Sequence, residues 1–285
     1  MTSGRLTMDV IAVINQKGGV GKTTTTVNLG VALAERGKRI LLIDMDPQAN
    51  LGTHLGIDVN DGATTIYDVL TRDKRLCDVL RETTEPEVFC VPSNLELSAA
   101  ELELVSMVGR ETLLRDALEV LETGEPGRFD SVLLDCPPSL GVLTINALCA
   151  ATRVLVPLQA EFFALQGMAK LTEIIGLVQR RLNPEVTLDG IVACKVDRRT
   201  KLTHEVLDEV RRFFGDRLMD TVIRPNVKLA EAPSYGQSVL SYAPDSNGAE
   251  DYRRLAREWV GELAKDVPTD RDVEPIAAEG AAEVE

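Results

Sequence analysis

Short runs of apolar residues alternate along the chain with longer stretches in which apolar residues recur every three or four positions. The runs are typical of strands buried on both faces of a sheet, and the periodic stretches are typical of helices that bury one side. The runs predict strands at residues 9–14, 40–43, 88–91, 131–134, 154–157 and 191–194. The periodic stretches predict helices at about residues 23–35, 111–121, 143–150, 166–182, 203–214 and 249–265.

This order of elements predicts an α/β fold with a doubly wound, mainly parallel sheet flanked by helices. Strands that are joined through helices of about ten residues or more pair in parallel through right-handed crossovers. No linker rich in Pro, Gly or Ser divides the chain, so residues 1–265 are expected to form a single domain. Residues 266–285 are acidic and hold few large apolar side chains, which predicts a disordered tail because such a segment buries too little surface to offset its ordering entropy.

The composition is that of a globular protein and excludes several classes. Of the 285 residues, 44% are hydrophobic and 27% are charged, and no apolar run approaches the ~18 residues of a membrane span. The five cysteines form no C-x-x-C pair, so zinc and iron–sulfur sites are not indicated. The chain begins without a basic segment or a long apolar core, so no secretory signal is predicted and the expected location is cytoplasmic.

Charge is spread unevenly over the chain, whose formal net charge is −14. Residues 266–285 hold seven acidic residues and one Arg, which leaves −8 for the rest of the chain. Between Lys195 and Lys228 the sign reverses, since nine Lys and Arg residues stand among six Asp and Glu residues. A basic stripe of this kind is either a solvated face or a surface that binds DNA phosphates, and charge alone leaves both interpretations open.

The strongest motif is Asn15-Gln-Lys-Gly-Gly-Val-Gly-Lys-Thr-Thr24, which follows the first predicted strand and opens the first predicted helix. Gly18, Gly19 and Gly21 let the backbone turn tightly, so that successive N–H groups point at phosphate oxygens. The N-terminus of the following helix favours the same negative charge. Lys22 supplies a positive charge for the β- and γ-phosphates, and the Thr23 hydroxyl is a ligand for Mg²⁺. The loop therefore predicts a nucleotide site.

Three aspartates stand at or just after the ends of predicted strands, where such a nucleotide would lie. Asp135 ends an apolar strand, and its carboxylate either accepts from Mg²⁺-bound water or caps the strand end. Asp44 and Asp46 are two residues apart, so in an extended chain both project from one face, with one nearer the metal and the other nearer the attacking water. Asp46 also precedes Pro47 and suits a simple turn.

The loop departs from the common phosphate-loop pattern, because Gln16 stands where that pattern has Gly and an extra lysine, Lys17, follows it. In this form it resembles the deviant Walker A loop of the ParA/MinD group of ATPases. Three later segments are similar to the same family, in the same order: Ile43-Asp-Met-Asp-Pro-Gln-Ala-Asn50, Leu134-Asp-Cys-Pro-Pro-Ser-Leu-Gly141 and Arg224-Pro-Asn-Val-Lys-Leu-Ala-Glu-Ala-Pro-Ser234. Together the four motifs resemble those of the chromosome and plasmid partitioning ATPases called ParA or Soj.

The resemblance implies ATP hydrolysis with Mg²⁺, slow without a partner, in a sandwich dimer in which Lys17 reaches across to the other copy's nucleotide. The implied catalytic residues are Lys17, Lys22, Asp46 and Asp135, with Asp46 activating the water. The implied metal-side residues are Thr23, Asp44 and Asp135. The implied nucleotide-binding residues are Gln16, Lys17, Gly18, Gly19, Val20, Gly21, Lys22, Thr23, Thr24, Pro225 and Asn226.

Pro225 and Asn226 match the loop that contacts adenine in the family. This chain departs from the family there, since it reads Arg224-Pro225 where the commonest order has Pro before Arg. Pro-Asn is also a turn former, so a purely local role stays open at these two positions.

The resemblance also implies DNA binding without base specificity. Arg199 and Lys228 fall where the family carries its DNA-binding basic residues, and Arg198, Lys201 and Arg224 extend the same patch. No helix-turn-helix or zinc module is visible in the sequence, in keeping with contacts to phosphates alone. The implied partners are a second copy of the chain, duplex DNA of the nucleoid and a ParB-like centromere-binding protein that stimulates hydrolysis. No membrane partner is expected.

Three alternatives stay open. A MinD-like positioning ATPase that cycles on a membrane shares the loop but needs a basic amphipathic C-terminal helix, whereas the tail here is acidic. A relative of iron–sulfur carriers or nitrogenase reductase needs cysteines at suitable positions, which the spacing does not offer. A scaffold that senses ATP without hydrolysing it, for a cargo other than DNA, also fits the phosphate loop.

Overall fold

The computed structural model describes residues 8–59, 62–123, 128–161, 163–197 and 199–263. Arg198 and the acidic tail at residues 266–285 lie outside these ranges, so what the sequence predicts for them stays a prediction. Within the described ranges the chain forms one eight-stranded sheet with helices packed on both faces.

The sheet is parallel except at one edge. Its strands are β1 Asp9–Val13, β2 Ile40–Asp44, β3 Arg81–Glu82, β4 Val88–Val91, β5 Ser131–Asp135, β6 Arg153–Gln159, β7 Thr187–Cys194 and β8 Leu218–Ile223. Their order across the sheet is β3-β4-β2-β5-β1-β6-β7-β8, and β3 alone pairs antiparallel with its neighbour among the described strands. The predicted α/β class with a mainly parallel sheet is therefore confirmed, and all six predicted strands are present.

Helices connect these strands. Their bounds are α1 Lys22–Ala34, α2 Asn50–His54, α3 Ile66–Thr71, α4 Leu76–Val79, α5 Leu97–Glu103, α6 Leu113–Thr123, α7 Val142–Ala150, α8 Ala164–Arg181, α9 Lys201–Phe214, α10 Val227–Glu231, α11 Val239–Tyr242 and α12 Asn247–Trp259. The six longest, α1, α6, α7, α8, α9 and α12, are the six predicted helices. None of the described helices is both long and apolar enough to span a bilayer.

The last predicted helix ends earlier than its apolar pattern indicates. The pattern predicts a helix to residue 265, but α12 ends at Trp259 and Gly261 has φ +76°. Glycine enters this left-handed region at little cost and commonly ends helices for that reason. The predicted helix end is therefore wrong at residues 260–263, and residues 264 and 265 lie outside the described part of the chain.

Alternate residues of β1 face two separate helical layers. Val10 and Ala12 pack in one apolar core with side chains of α6, α7 and α8. Ile11 and Val13 pack in the other core with side chains of α1, α11 and α12. Because both faces of the strand are buried, β1 reads in the sequence as a continuous apolar run rather than as an alternating one.

The elements that the sequence pattern missed are short or polar. β3 has two residues, both charged, and β8 includes Asp220 and Thr221 within its apolar run. The missed helices α2, α3, α4, α5, α10 and α11 have four to seven residues each. A segment of that length spans at most two turns, too few for a helical period to emerge from the sequence.

The carboxyl ends of β1, β5 and β2 lie side by side in the middle of the sheet. Val13 pairs with Asp135, and Asp135 in turn pairs with Asp44. Open α/β sheets bind ligands outside the carboxyl ends of their strands. The topology therefore brings the phosphate-loop motif and the aspartate motifs to the edge where a ligand is expected.

Candidate nucleotide site

The loop between β1 and α1 places two glycines in the left-handed region. Gly19 has φ +73° and Gly21 has φ +102°. A side chain at either position would be strained, although no atom lies within 4 Å of the place its Cβ would take. The backbone conformation thus requires these glycines, and the space beside them is open. Gly21 directly precedes α1 and offers no side-chain cap, which leaves first-turn N–H groups to bind a ligand.

This loop forms one wall of a cavity of about 480 Å³, named here the central cavity. Seven predicted site residues line it: Gly18, Gly19, Gly21, Lys22, Thr23, Thr24 and Asp46. The other lining residues are Gln48, Asn50, Thr53, His54, Pro138, Lys195 and Pro233. The fold therefore brings the phosphate-loop motif, the segment after β2 and the segment after β5 around one space.

Lys22 is almost fully buried, with 7% of its surface exposed, and it lines the central cavity. Its Nζ donates to the Lys17 carbonyl at 3.3 Å. Burial lowers the pKa of Lys22, and the nearby carboxylates of Asp135 and Asp46 oppose this shift. The fold thus holds a positive charge at the cavity, where a phosphate chain would balance it.

Asp135 is a buried carboxylate with an unused oxygen. The Thr26 hydroxyl donates to Oδ1 at 3.4 Å and the Thr23 hydroxyl also bonds the carboxylate, whereas the buried Oδ2 has no partner among the described residues. Burial raises the pKa of Asp135 to about 7, with the Thr23 hydroxyl and Lys22 acting against the increase. An orphaned carboxylate oxygen beside a threonine hydroxyl fits Mg²⁺, which takes oxygen ligands.

Asp46 lines the central cavity, whereas its neighbour Asp44 is fully buried within the fold. Both oxygens of Asp44 accept backbone N–H groups, Oδ1 from Asp46 at 3.0 Å and Oδ2 from Leu51 at 3.1 Å. Burial raises the pKa of Asp44 well above its usual range, and the Asp135 carboxylate adds to the increase. Asp46 Oδ1 accepts from the Gln48 N–H at 3.0 Å, so the turn contact is present as well. Asp44 holds the start of α2, and its metal-side role stays a prediction.

Lys17 and Gln16 lie outside the central cavity of their own chain. They line a different cavity of about 560 Å³, the outer cavity, together with Glu161 and Phe163. Lys17 forms an ion pair with Glu161, and both side chains are 48% exposed. Asn15 anchors this half of the loop, because its Nδ2 donates to the Pro157 carbonyl at 2.7 Å and its Oδ1 accepts from the Lys17 N–H at 3.0 Å.

The late motif meets the phosphate loop at a third cavity of about 360 Å³, the side cavity. Pro225 and Asn226 line it together with Val20 and Thr24 of the loop, some two hundred residues away in sequence. Asn226 also caps α10, since its Oδ1 accepts from the Lys228 N–H at 2.8 Å. The structure therefore brings the predicted base-contacting residues beside the loop, and it shows the local cap that the sequence left open.

Three residues at these cavities are not singled out by the sequence. Lys195 lines both the central and the side cavity, and Tyr252 lines the side cavity. His54 lines the central cavity; it is buried, and burial lowers its pKa to about 4. No spacing or motif marks these positions, because they reach the site only through folding. Lys195 is the first residue of the basic stripe at residues 195–228, which predicts a solvated or DNA-binding charge and not a nucleotide contact.

Three of the predicted DNA-binding residues, Arg199, Lys201 and Lys228, are exposed, and each is paired in its own chain. Arg199 donates to Asp197 through Nε at 2.9 Å, Lys201 pairs with Glu205 at 3.4 Å, and Lys228 pairs with Glu231 at 2.8 Å. Arg199 follows β7 and Lys228 follows β8, two strands that pair in parallel. Arg199, Lys201 and Lys228 are named here the basic edge.

Arg224 differs from the basic edge. Its Nε and a terminal nitrogen donate to the buried carboxylate of Asp251 at 3.0 and 2.6 Å, and the terminal nitrogen also reaches Glu250 at 3.1 Å. The Arg224 backbone N–H donates to Asp251 as well, at 2.9 Å. These contacts favour a structural role for Arg224 over the predicted DNA contact. Arg198 cannot be compared, since it lies outside the described residues.

Comparison with known proteins relates the chain to named families. The AAA domain family model matches residues 8–188. The chain is 45% identical over 249 residues to the sporulation initiation inhibitor protein Soj of Bacillus subtilis, covering 87% of this chain and 97% of that protein. It is 48% identical over 251 residues to the chromosome partitioning protein ParA of Caulobacter vibrioides, covering 88% and 93%.

A solved structure that holds a nucleotide is also similar to this chain. Cobyrinic acid a,c-diamide synthase from Mycobacterium smegmatis, with bound ADP and magnesium, superposes with a TM-score of 0.76. It is 37% identical to this chain, and the match covers 90% of this chain and 97% of that one.

Proposed function

Because the chain belongs to the ParA and Soj family of chromosome-partitioning ATPases, we propose that it is the DNA-positioning ATPase of a partition system. In this proposal ATP closes two copies into a sandwich dimer, the dimer binds duplex DNA without base preference, and a ParB-like partner stimulates hydrolysis and release. The observation that carries the proposal is the position of Lys17, which lies outside the central cavity of its own chain.

The central cavity of one chain brings few cations to a triphosphate. Among its described lining residues, only Lys22 and Lys195 carry a positive side chain. Lys17 is half exposed and is held by an ion pair with Glu161. Exposed ion pairs contribute little to stability, so Lys17 exchanges Glu161 for a phosphate at small cost. In a two-fold dimer each copy lends its Lys17 to the other, an isologous contact that forms only when nucleotide is present.

Hydrolysis of ATP requires charge neutralisation at the phosphates and an oriented water. Mg²⁺ supplies part of that neutralisation when bound, and the residues suited to hold it are Thr23 and Asp135, whose Oδ2 is buried without a described partner. Lys22 binds the phosphate chain in the cavity. Asp46 orients the attacking water, since its carboxylate lines the same cavity.

The basic edge supplies the DNA contact in this cycle. Its three cations are exposed, and each is paired with a surface carboxylate. DNA phosphates take the place of these carboxylates, and the counterions bound to the DNA are released. One copy presents few such cations, and the sandwich dimer presents twice as many on one particle. Affinity for DNA therefore rises on dimerisation and falls with salt.

The net negative charge of the chain attracts the ParB-like partner in this proposal. A formal net charge of −14 attracts a basic segment and repels other acidic surfaces. A ParB-like protein with a basic N-terminal segment suits this field. We infer that the dimer acts on the nucleoid, in the cytoplasm, and that partner-stimulated hydrolysis releases it from DNA.

Two other functions compete with this one. A MinD-like ATPase would cycle on a membrane, and a nucleotide-sensing scaffold would position a cargo other than DNA. The first needs a cationic amphipathic segment, whereas residues 266–285 are acidic. Neither of these functions requires exposed cations at the neighbouring ends of β7 and β8, which the DNA-positioning function uses.

Sedimentation on DNA-coated beads and on vesicles of anionic phospholipid tests the proposal. The parent, Lys17→Ala, Lys22→Ala and the control Lys38→Ala are each measured without nucleotide, with ADP and with ATP plus Mg²⁺. Lys38 is exposed in the turn before β2. We expect the parent and the control to pellet with DNA only when ATP and Mg²⁺ are present. Both site variants should stay in solution, and no chain should pellet with vesicles.

Three results would contradict the proposal. Retention of the parent on vesicles would favour the membrane-cycling alternative, and DNA retention that ignores nucleotide would remove the switch. Analytical ultracentrifugation measures dimerisation of Lys17→Ala with ATP. If this variant dimerises as readily as the parent, the exchange of lysines between copies is wrong.

A further inference from the structure

The central cavity and the side cavity meet at three residues. Gly21, Thr24 and Lys195 line both spaces, and Lys195 is the charged one of the three. The cavities have similar volumes, about 480 and 360 Å³. A ligand that fills both passes directly by the Lys195 side chain.

Lys195 is built into this junction by an unusual backbone and a direct contact. It follows Cys194, the last residue of β7, and has φ +55°. Residues other than glycine are uncommon in this left-handed region, and those that occupy it cluster at ligand sites. Its Nζ donates to the Gly19 carbonyl of the phosphate loop at 2.7 Å. The side chain thus bridges two loops that are 176 residues apart in sequence.

We propose that Lys195 is a nucleotide-positioning residue that binds the α-phosphate. This rests on the proposed function only in that the two cavities take ATP, with the base in the side cavity and the β- and γ-phosphates in the central one. The part of a nucleoside triphosphate that joins those ends is the ribose and the α-phosphate, and of the two the α-phosphate carries the charge. An ammonium group has three donors, so Lys195 holds the Gly19 carbonyl and the phosphate together.

The other cations near the junction either line one cavity only or are held by carboxylates. Lys22 lines the central cavity but not the side cavity. Arg224 lines the side cavity, yet its guanidinium is held by Asp251 and Glu250. Lys17 lines the outer cavity. Among the described residues, Lys195 is therefore the cation that both cavities share.

Equilibrium binding of Mg²⁺-ATP and Mg²⁺-ADP to four variants, by isothermal titration calorimetry, tests the assignment. Lys195→Gly removes the charge and suits the left-handed backbone, so it is expected to fold at least as well as the parent. Lys195→Met removes the charge at similar length, and Lys195→Arg keeps it. The matched control Lys38→Met makes the same change in an exposed turn before β2.

We expect Lys195→Gly and Lys195→Met to weaken both nucleotides by about tenfold, the scale of one charge-assisted contact. The ratio of the ATP and ADP dissociation constants should stay at the parent value, because both nucleotides carry the α-phosphate. KM for ATP should rise by a similar factor with little change in kcat, since the contact is kept from bound substrate to transition state. Lys195→Arg should restore most of the affinity.

Two outcomes would overturn the assignment. If Lys195→Gly binds both nucleotides as the parent does, Lys195 does not touch the nucleotide. If the loss is confined to ATP, the contact is with the γ-phosphate and not the α-phosphate. Failure of the parent and of Lys38→Met to bind any nucleotide would instead refute the proposed function, so the two failures are distinguishable.

Discussion

The central cavity and the basic edge both place cations at the carboxyl ends of strands, but they differ in burial. Lys22, which lines the central cavity, and Asp135, which is bonded by the cavity residue Thr23, are 7% and 1% exposed. The side chains of Arg199 and Lys201 at the basic edge are 90% and 91% exposed. A buried charge is costly unless it is held by partners, so the cavity fixes its charges in place. Exposed charges stay solvated and exchange partners freely.

The difference in burial also determines what shifts the pKa values of side chains in the two regions. Burial is the largest cause of the shifts at Lys22 and Asp135: it lowers the pKa of Lys22 and raises the pKa of Asp135 to about 7. At the basic edge a direct hydrogen bond dominates, because Arg199 holds the pKa of Asp197 at about 2. A preorganised cavity suits one ligand in one position, and an exchangeable surface suits a polymer whose phosphates lie at varying positions.

Removing the carboxylate of Asp46 should have the largest effect. We expect Asp46→Ala to lower ATP turnover by about 10³-fold, the scale of general-base contributions, while ATP binding and DNA retention persist. The check is single-turnover hydrolysis of ATP, together with retention on DNA-coated beads over time. Normal turnover by Asp46→Ala would refute its role with the water.

Reversing charge at the basic edge should be the next largest effect. Arg199→Glu with Lys228→Glu changes four positions in a dimer, and we expect DNA affinity to fall by at least ~100-fold at moderate salt. The salt dependence of the residual affinity should also be shallower. Fluorescence anisotropy with duplex DNA, ATP and Mg²⁺ measures both.

The matched control makes the same change in net charge elsewhere. Lys38 and Lys74 are exposed away from the basic edge, so Lys38→Glu with Lys74→Glu should reduce DNA affinity only slightly. Equal losses in the two double variants would mean that total charge, and not the basic edge, sets DNA binding. Nucleotide affinity should be unchanged in both.

Removing the buried cation should weaken nucleotide binding more than removing an exposed one. We expect Lys22→Ala to lower ATP affinity by about 100-fold, or about 2.7 kcal/mol, because it deletes a desolvated charge contact to phosphate. Lys38→Ala should bind as the parent. Calorimetric titration with Mg²⁺-ATP gives both values, and parent-like affinity in Lys22→Ala would show that the cavity is not the phosphate site.

The smallest of the expected effects is the contribution of His54 to the pH dependence of the free energy of unfolding. In the folded chain burial lowers the pKa of His54 to about 4, against 6.5 ordinarily, so only the unfolded chain takes up this proton between those values. The stability that His54 contributes is present above about pH 6.5 and is lost as the pH falls toward 4. The loss should be about 2 kcal/mol by pH ~4.5.

Urea unfolding of the apo chain at several pH values measures this loss. The His54→Asn variant lacks the titrating group and should lose about 2 kcal/mol less than the parent between pH ~7 and ~4.5. The control His204→Asn removes the other histidine, which is exposed on α9, and should retain the parent's steeper loss. Parallel pH profiles for the parent and His54→Asn would contradict the buried, neutral state of His54.

Contiguous motifs made much of the site predictable. Gly19, Gly21, Lys22 and Thr23 are neighbours in sequence and take their positions from one strand, one turn and one helix N-terminus. Asp135 follows from the same logic, because the end of a buried parallel strand lies at the ligand edge of the sheet. Local rules of this kind need little information about the rest of the chain.

Residues that meet only through folding were not predictable in the same way. Lys195 carries no motif, yet its Nζ contacts Gly19 across the sheet edge. Arg224 has the charge of a DNA-binding residue, but Asp251 of α12 holds it. The short helices around the cavities also escaped notice, because their few residues show no period. Charge in a sequence gives the sign of a side chain and not its partner.

By itself the sequence determined the α/β class, the succession of the main strands and helices along the chain, and the phosphate loop. Apolar periodicity and glycine conformation make these predictable because both act over neighbouring residues. Tertiary structure alone decided which charges are buried, which oxygen of Asp135 is orphaned, and that Lys17 lies outside the cavity that Lys22 lines. These outcomes depend on desolvation and on contacts between distant segments, and both exist only once the sheet has brought those segments together.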